Sequence, residues 1–253
     1  MVKIWEGPVW LEPIEHKYWH RDTGKRYSSV TQTLHSLVNE FDAEAVSTAI
    51  SRQPEDKRKP EYKGMSKVQI LDYWQFLNDE ANEYGTKVHE MIEEYLLKDK
   101  FLFPSDPLHQ KVIEAYEGLG VDEGQCMWPE RIMFSEEHEL AGTADLIIDI
   151  DDKYFDVGDW KTNRVYNFFD EYGFKSLKKP LDHLQDCHHS IYSTQLSIYA
   201  LMYEMETGRK CRMIWIGYWD KKLETLTRIP ITYLKNEAKK VLDLHKYKQQ
   251  FAI

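Results

Sequence analysis

The stretch HELAGTADLIIDIDDKYFDVGDWKT, residues 138–162, decides how this chain reads. Apolar residues run through LAGTADLII and YFDVGDW, and Asp151-Asp152-Lys153 between them has turn composition, which predicts two antiparallel strands. WPERIMFSE at 128–136 supplies a third, so a meander is expected. The two-residue period of a strand puts Asp159 and Lys161 on one face. Asp145 stands at a comparable distance on the other side of the turn, so Asp145 and Asp159 can lie near one another across the ladder. Two carboxylates that close repel, and one takes a proton unless a divalent cation satisfies both. Oxygen-rich sites suit Mg2+ or Mn2+. Lys161 beside such a cation would orient an attacking water or steady negative charge growing on a phosphate. An isolated Asp-x-Lys also reads, more simply, as an edge-strand ion pair with Asp145 as a strand-end residue.

Outward from this meander the chain alternates helical and strand patterns. VWLEPIEHKYWHRDTGKRYSSV, 9–30, alternates apolar and polar residues around Asp22-Thr23-Gly24 and predicts a small hairpin. Ser28 or Ser29 then reads as the N-cap of one helix through TQTLHSLVNEFDAEAVSTAISR, which stops at QPEDKRKPEYKG, a polar, basic loop. A second helical region spans about 66–97, with Val88, Ile92, Tyr95 and Leu96 at helical spacing and Gly85 as a break. A helix near 107–118 precedes the meander. After it, 194–205 reads as a helix, MIWIGYW and LETLTRIPI as a hairpin, and KNEAKKVLDLHKYKQQ as an amphipathic closing helix. The fold class expected is α+β, or mixed α/β, with helices on the faces of a sheet. No boundary or repeat divides the sequence, so one domain is expected over 1–253: a hairpin and helical extension at 1–79, a core at 80–230 and a closing helix at 231–253.

The chain's 253 residues are ample for a core, and 42% hydrophobic with 13% aromatic residues argues against disorder. No apolar run reaches the roughly 20 residues that span a bilayer, and MVKIWEGPVW has no signal-peptide pattern. Cys126, Cys187 and Cys211 are odd in number and scattered, which fits a reducing compartment and builds no four-cysteine site. A cytoplasmic protein is expected, from a bacterium or a phage-infected cell. The net charge of −10 discourages a polyanion partner until its distribution is considered. Residues 121–159 hold twelve acids against Arg131 and Lys153, which leaves the rest neutral, with basic patches at 51–67 and 160–179. An acidic strip beside basic patches suits a metal site flanked by a phosphate track.

The motifs GTKVHEMIEEYL (85–96), Pro129-Glu130, GTADLIID (142–149), DVGDWKT (156–162) and QLSIYA (195–200), in this order, resemble the PD-(D/E)xK nuclease superfamily in its RecB-like branch, which includes phage-type and mitochondrial genome maintenance exonucleases. SSVTQTLH upstream is similar to a Ser-Val-Thr segment of phage members. The resemblance implies a restriction-endonuclease-like core, a central mixed sheet flanked by helices, and a Mg2+- or Mn2+-dependent deoxyribonuclease, an exonuclease of recombination, repair or replication acting on single-stranded DNA or DNA ends. It makes Asp145, Asp159 and Lys161 catalytic; His89, Asp145, Asp159 and the main-chain carbonyl of Trp160 metal ligands; and Gln195 and Tyr199, one helical turn apart, substrate-binding residues. Glu93 and Glu130 stand as further candidates to reach the metal. Ala144 departs from the proline of the family motif, and the four cysteines of some relatives are missing, so no iron–sulfur cluster is implied. His89 and Tyr199 each keep an ordinary reading, as a satisfied histidine and a core aromatic. Cys187, His188, His189 and His183 read as loop residues rather than zinc ligands. The rival functions are a catalytically silent nucleic-acid-binding module and a restriction-type endonuclease.

Overall fold

The computed structural model describes residues 2–97, 105–121, 125–163, 168 and 175–251. Backbone contacts divide the chain into two compact units, Glu40–Lys87 and the pair of segments Met1–Asn39 and Val88–Ile253.

The larger unit is built on an eight-stranded mixed sheet. β1 (Val9–Glu12), β2 (Lys17–His20) and β3 (Arg26–Ser29) form an antiparallel meander, and β3 joins the central sheet in parallel through Ser28 opposite Leu140 and Ser29 opposite Ala141. β4 (Cys126–Ser135), β5 (Leu140–Asp149) and β6 (Tyr154–Lys161) form the expected antiparallel meander. β7 (Lys210–Asp220) lies parallel to β6, and β8 (Thr225–Ile231) closes the sheet as the antiparallel hairpin partner of β7. β5 and β6 are buried along almost their whole length, as strands covered on both faces must be.

Parallel neighbours need a crossover, and between β6 and β7 it is supplied by a helix at His188–Thr207. More than half of its residues are buried. It packs on β4, β5, β6 and β7, on the short helix α1 (Val30–His35) and on the closing helix at Lys235–Phe251, which explains an apolar composition on most of its circumference. Gly208 ends it in the left-handed conformation at φ 73°. The fold is thus the mixed α/β arrangement expected, a central mixed sheet flanked by helices.

Two local expectations are corrected. The single helix read through 30–52 is two: α1 ends at His35, and α2 (Ala43–Ser51) starts afresh behind Asp42, whose carboxylate accepts the Ala45 N–H at 2.8 Å. Asn39 is held outside both helices by the Asp186 carboxylate, which accepts from its main-chain N–H at 2.8 Å and its amide at 2.7 Å. Gly85 breaks nothing: α3 runs unbroken over Lys67–Leu97, because a single helical glycine costs only about 1 kcal/mol against alanine. The helix read near 107–118 is α4 (Pro107–Gly118), started by Asp106 accepting from Leu108 N–H with Pro107 in the first turn. In chain order the crossover helix is α5 and the closing helix α6.

The smaller unit holds α2, two 3-10 turns at Glu55–Lys57 and Pro60–Tyr62, and the first part of α3. Its basic segment is tied together by Arg58. That guanidinium donates to the carbonyls of Ser51, Gln53 and Met65 and pairs with Glu55 at 2.9 Å. Trp74 packs edge-on against Phe41 and Tyr62 and donates to the Tyr62 hydroxyl at 3.1 Å.

Candidate active site

The ladder between β5 and β6 pairs Leu146 with Gly158 and stops there, and the next positions in that register are Asp145 and Asp159. Past this point the Trp160 N–H donates to the Asp145 carboxylate at 2.7 Å instead of to a strand carbonyl. On the other side, β4 pairs Pro129 with Leu146 and Arg131 with Ala144 but skips the step between them, where Glu130 faces Asp145. Glu130 takes φ 46°, a left-handed backbone that costs a non-glycine residue on the order of 1–3 kcal/mol. Glu130, Asp145 and Asp159 therefore form a row across three strands at the point where both ladders open.

His89 comes to this row from α3, its Nδ1 3.3 Å from Asp145 Oδ2. His89, Glu130 and Asp145 each offer one ligand atom, all within 4.8 Å of one another. Asp159, 3% exposed, is instead in contact with Lys161, whose ammonium pairs with its Oδ2. All of these residues belong to the larger unit.

The electrostatics are those of too many acids in a dry place. Burial, with the nearby Asp145, Glu93 and Asp159, pushes Glu130 up to about 9. Burial and Asp145 push Asp159 up to about 6 against the pull of Lys161. Glu93, one turn beyond His89 on α3, is also raised, by burial and then by Glu90, Asp145 and Glu94. For Lys161 burial alone would favour the neutral amine, but Asp159 and Asp145 outweigh it and hold the side chain as an ammonium ion. A divalent cation fits these residues: carboxylates that repel one another with a single imidazole make a hard, oxygen-rich donor set suited to Mg2+ or Mn2+.

Two glycines of the motifs are there for packing. A Cβ on Gly142 would fall 2.6 Å from the Tyr199 ring, and one on Gly158 2.4 Å from the Trp215 ring. α5 can seat Tyr199 against β5 only because position 142 is bare. Tyr199 is 2% exposed, and its hydroxyl accepts from the Gln195 amide at 3.1 Å. A side chain that buried offers no face for stacking, and Gln195 also reaches Thr31 of α1 at 3.3 Å. Cys187, His188 and His183 have separate tasks: the thiol donates to the Phe168 carbonyl at 2.9 Å, His188 Nδ1 lies 3.2 Å from the Asn163 amide, and His183 is 3.1 Å from Glu237. Nothing in the sequence singles out Tyr192, yet its ring centroid lies 4.9 Å from Lys161 Nζ. The only trace it leaves is a three-residue spacing to Gln195, one face of α5. Of the basic segment 160–179, residues 164–167 and 169–174 lie outside the described residues.

The PD-(D/E)XK nuclease superfamily profile matches residues 25–252, and the chain belongs to that superfamily. Members of the superfamily are nucleases that act on nucleic acids and generally use Mg2+ or Mn2+. Among solved structures the chain is similar to a candidate exonuclease from Eubacterium rectale, with 14% identity, 89% of this chain and 79% of that one covered, and a TM-score of 0.36. It is also similar to the protein SSO0001, with 17% identity, 87% and 84% covered, and a TM-score of 0.30. Both scores fall below 0.5, and neither bears on what this chain does. A comparison with curated proteins gives no match. Among the described residues, no helix is long and apolar enough to cross a membrane.

If His89 is a ligand, its loss weakens metal binding; if it is merely packed, its loss lowers stability without metal. For His89→Ala we expect a Mn2+ requirement raised about 10- to 100-fold in a metal titration of activity, with an apo melting temperature close to that of the parent. A large apo destabilisation with the same metal dependence returns His89 to a packing role.

Proposed function

We propose that the chain is a divalent-metal-dependent deoxyribonuclease of the RecB-like branch, acting as an exonuclease in recombination, repair or replication. The observation that carries the reading is the cluster of His89, Glu130 and Asp145 donors within 4.8 Å of one another, beside a buried Asp159–Lys161 pair. His89, Glu130, Asp145 and Asp159, with the main-chain carbonyl of Trp160, would hold Mg2+ or Mn2+, and Glu93 stands one turn from His89 to extend the set. The cation supplies Lewis acidity toward a phosphate oxygen and a lowered pKa for water. Asp159 and Asp145 favour the ammonium form of Lys161, which as a hydrogen-bond donor would orient the attacking water and face the charge that grows on the phosphate. Asp159 keeps Lys161 pointed inward. Gln195, hydrogen-bonded to Tyr199 and Thr31, would touch the substrate backbone. The preference for ends over internal bonds, and for DNA over RNA, rests on the motif resemblance.

The test is the purified protein with Mg2+, Mn2+ or EDTA on 5′- and 3′-labelled linear single- and double-stranded DNA, on circular DNA and on RNA. Metal-dependent release of mononucleotides or short oligonucleotides from linear DNA is the expected result. No cleavage under any condition overturns the nuclease reading, cleavage in EDTA overturns the metal requirement, and cleavage of circular DNA moves the reading to the endonuclease.

The basic segment 51–67 is proposed to contact substrate phosphates, now through fewer side chains, since Arg58 is committed to its own loop. Lys57 and Lys59 are exposed. Replacing both with alanine should weaken DNA binding and reduce the salt dependence of log affinity by up to about 2 in slope. Single-turnover cleavage of saturating DNA should stay near the parent rate. An unchanged slope makes the segment a solvated connector.

A further inference from the structure

Lys161 is a flexible four-carbon chain ending in a point charge, and one carboxylate fixes its distance but not its direction. A second contact completes the geometry. Its Nζ lies 4.9 Å from the centroid of the Tyr192 ring, within the roughly 6 Å over which an ammonium group is held by an aromatic face. Tyr192 is itself braced. His188, one helical turn earlier on α5, lies with its ring 5.5 Å away and 5° from parallel. His188 Nδ1 is 3.2 Å from the amide of Asn163, two residues beyond Lys161, and the Asn163 carbonyl accepts from the Tyr218 hydroxyl of β7 at 3.0 Å. The end of β6 is thus fastened to the first turns of α5 at two points two residues apart, one of them Lys161 itself.

We propose that Tyr192 is a positioning residue for Lys161, its ring forming the platform that, together with Asp159, aims the ammonium group into the site. The inference rests on the nuclease reading for the role of Lys161, but the contact stands independently of it. What the platform needs is the aromatic face and not the hydroxyl.

Tyr192→Phe keeps the face, and Tyr192→Met keeps apolar volume without it. Competitive labelling of lysines by acetic anhydride, read by mass spectrometry on the metal-free protein, reports how tightly Lys161 is held with no cleavage involved. We expect labelling of Lys161 to rise about tenfold in Tyr192→Met, the size of one desolvated ammonium–ring contact, and to stay at the parent level in Tyr192→Phe. Single-turnover cleavage of saturating linear DNA should fall about tenfold in Tyr192→Met and recover in Tyr192→Phe, with DNA affinity and Mn2+ requirement unchanged in both. Equal labelling in all three proteins overturns the platform, and so does a loss of turnover shared equally by Phe and Met. Should Tyr192→Met melt below the assay temperature, Tyr192→Leu takes its place. Labelling as expected with no DNA cleavage by the parent protein overturns the nuclease reading and not the platform.

Discussion

Lys161→Ala and Asp159→Ala are each expected to lower kcat by about a thousandfold or more, read as single-turnover cleavage of saturating DNA, because Lys161 faces charge that grows in the transition state and Asp159 both holds the cation and aims Lys161. Lys161→Ala leaves Asp159 buried at 3% exposure with no cation, where burial and Asp145 already push it up to about 6. Breaking a buried pair on one side costs roughly 3–5 kcal/mol, so the metal-free Lys161→Ala protein should melt clearly below the parent. Its DNA affinity should change little, since one lysine among several phosphate contacts contributes a small share. Undiminished cleavage by either variant overturns the mechanism, and an equal fall of binding and turnover in Lys161→Ala overturns the role given to the lysine.

Glu130→Gln should act in the opposite direction on stability. The carboxyl of Glu130 is moved from its ordinary value of 4.5 to about 9 by burial and by Asp145, Glu93 and Asp159. An acid with a raised folded-state pKa holds its proton more tightly folded than unfolded. From about pH 4.5 to about 9 the native protein then binds more protons than the unfolded chain, and its stability falls as pH rises. The neutral amide removes this slope and the repulsion behind it. At pH 8 the metal-free Glu130→Gln protein should melt above the parent, by about 2–4 °C for each kcal/mol relieved, with a flatter melting profile between pH 5 and 9. Mn2+ should stabilise the parent more than the variant, and the variant's metal requirement should rise at least about tenfold. A variant that melts below the parent at pH 8 and keeps the parent's metal dependence would return Glu130 to an ordinary strand position.

The stability effects expected for Lys161→Ala and Glu130→Gln are those of a site whose acids weaken the fold in the absence of a cation. The left-handed backbone of Glu130 adds to that cost, and it falls where β4 and β5 skip a pairing step opposite Asp145. Backbone strain and raised carboxyl pKa values at one spot are the physical marks of a functional position.

The strand pattern of 128–162 and the turn at Asp151-Asp152-Lys153 were legible because alternation and turn composition are local properties, and they place Asp145, Asp159 and Lys161 with no other knowledge of the fold. The same holds for the closing helix and the β7–β8 hairpin. His89 was legible only through its motif. Its arrival at the row depends on how α3 meets the sheet, which no local pattern encodes. The end of α1 and the continuity of α3 were misread for a related reason: Asn39 is pulled out of helix by Asp186, 147 residues away, and Gly85 stays helical because its neighbours carry it. Arg58 counts toward the basic patch at 51–67, but its guanidinium is tied to the carbonyls of its own loop. The sequence alone determined the meander at 128–162, the closing hairpin and helix, and which charges share a strand face, since these follow from periods of two and 3.6 residues. Only the tertiary structure decided that Glu130 stands opposite Asp145 on a bent backbone, that Tyr199 is buried behind a bare Gly142, and that Tyr192 lies against Lys161. Those depend on long-range packing, whose geometry is set by the shapes of side chains far apart in the chain.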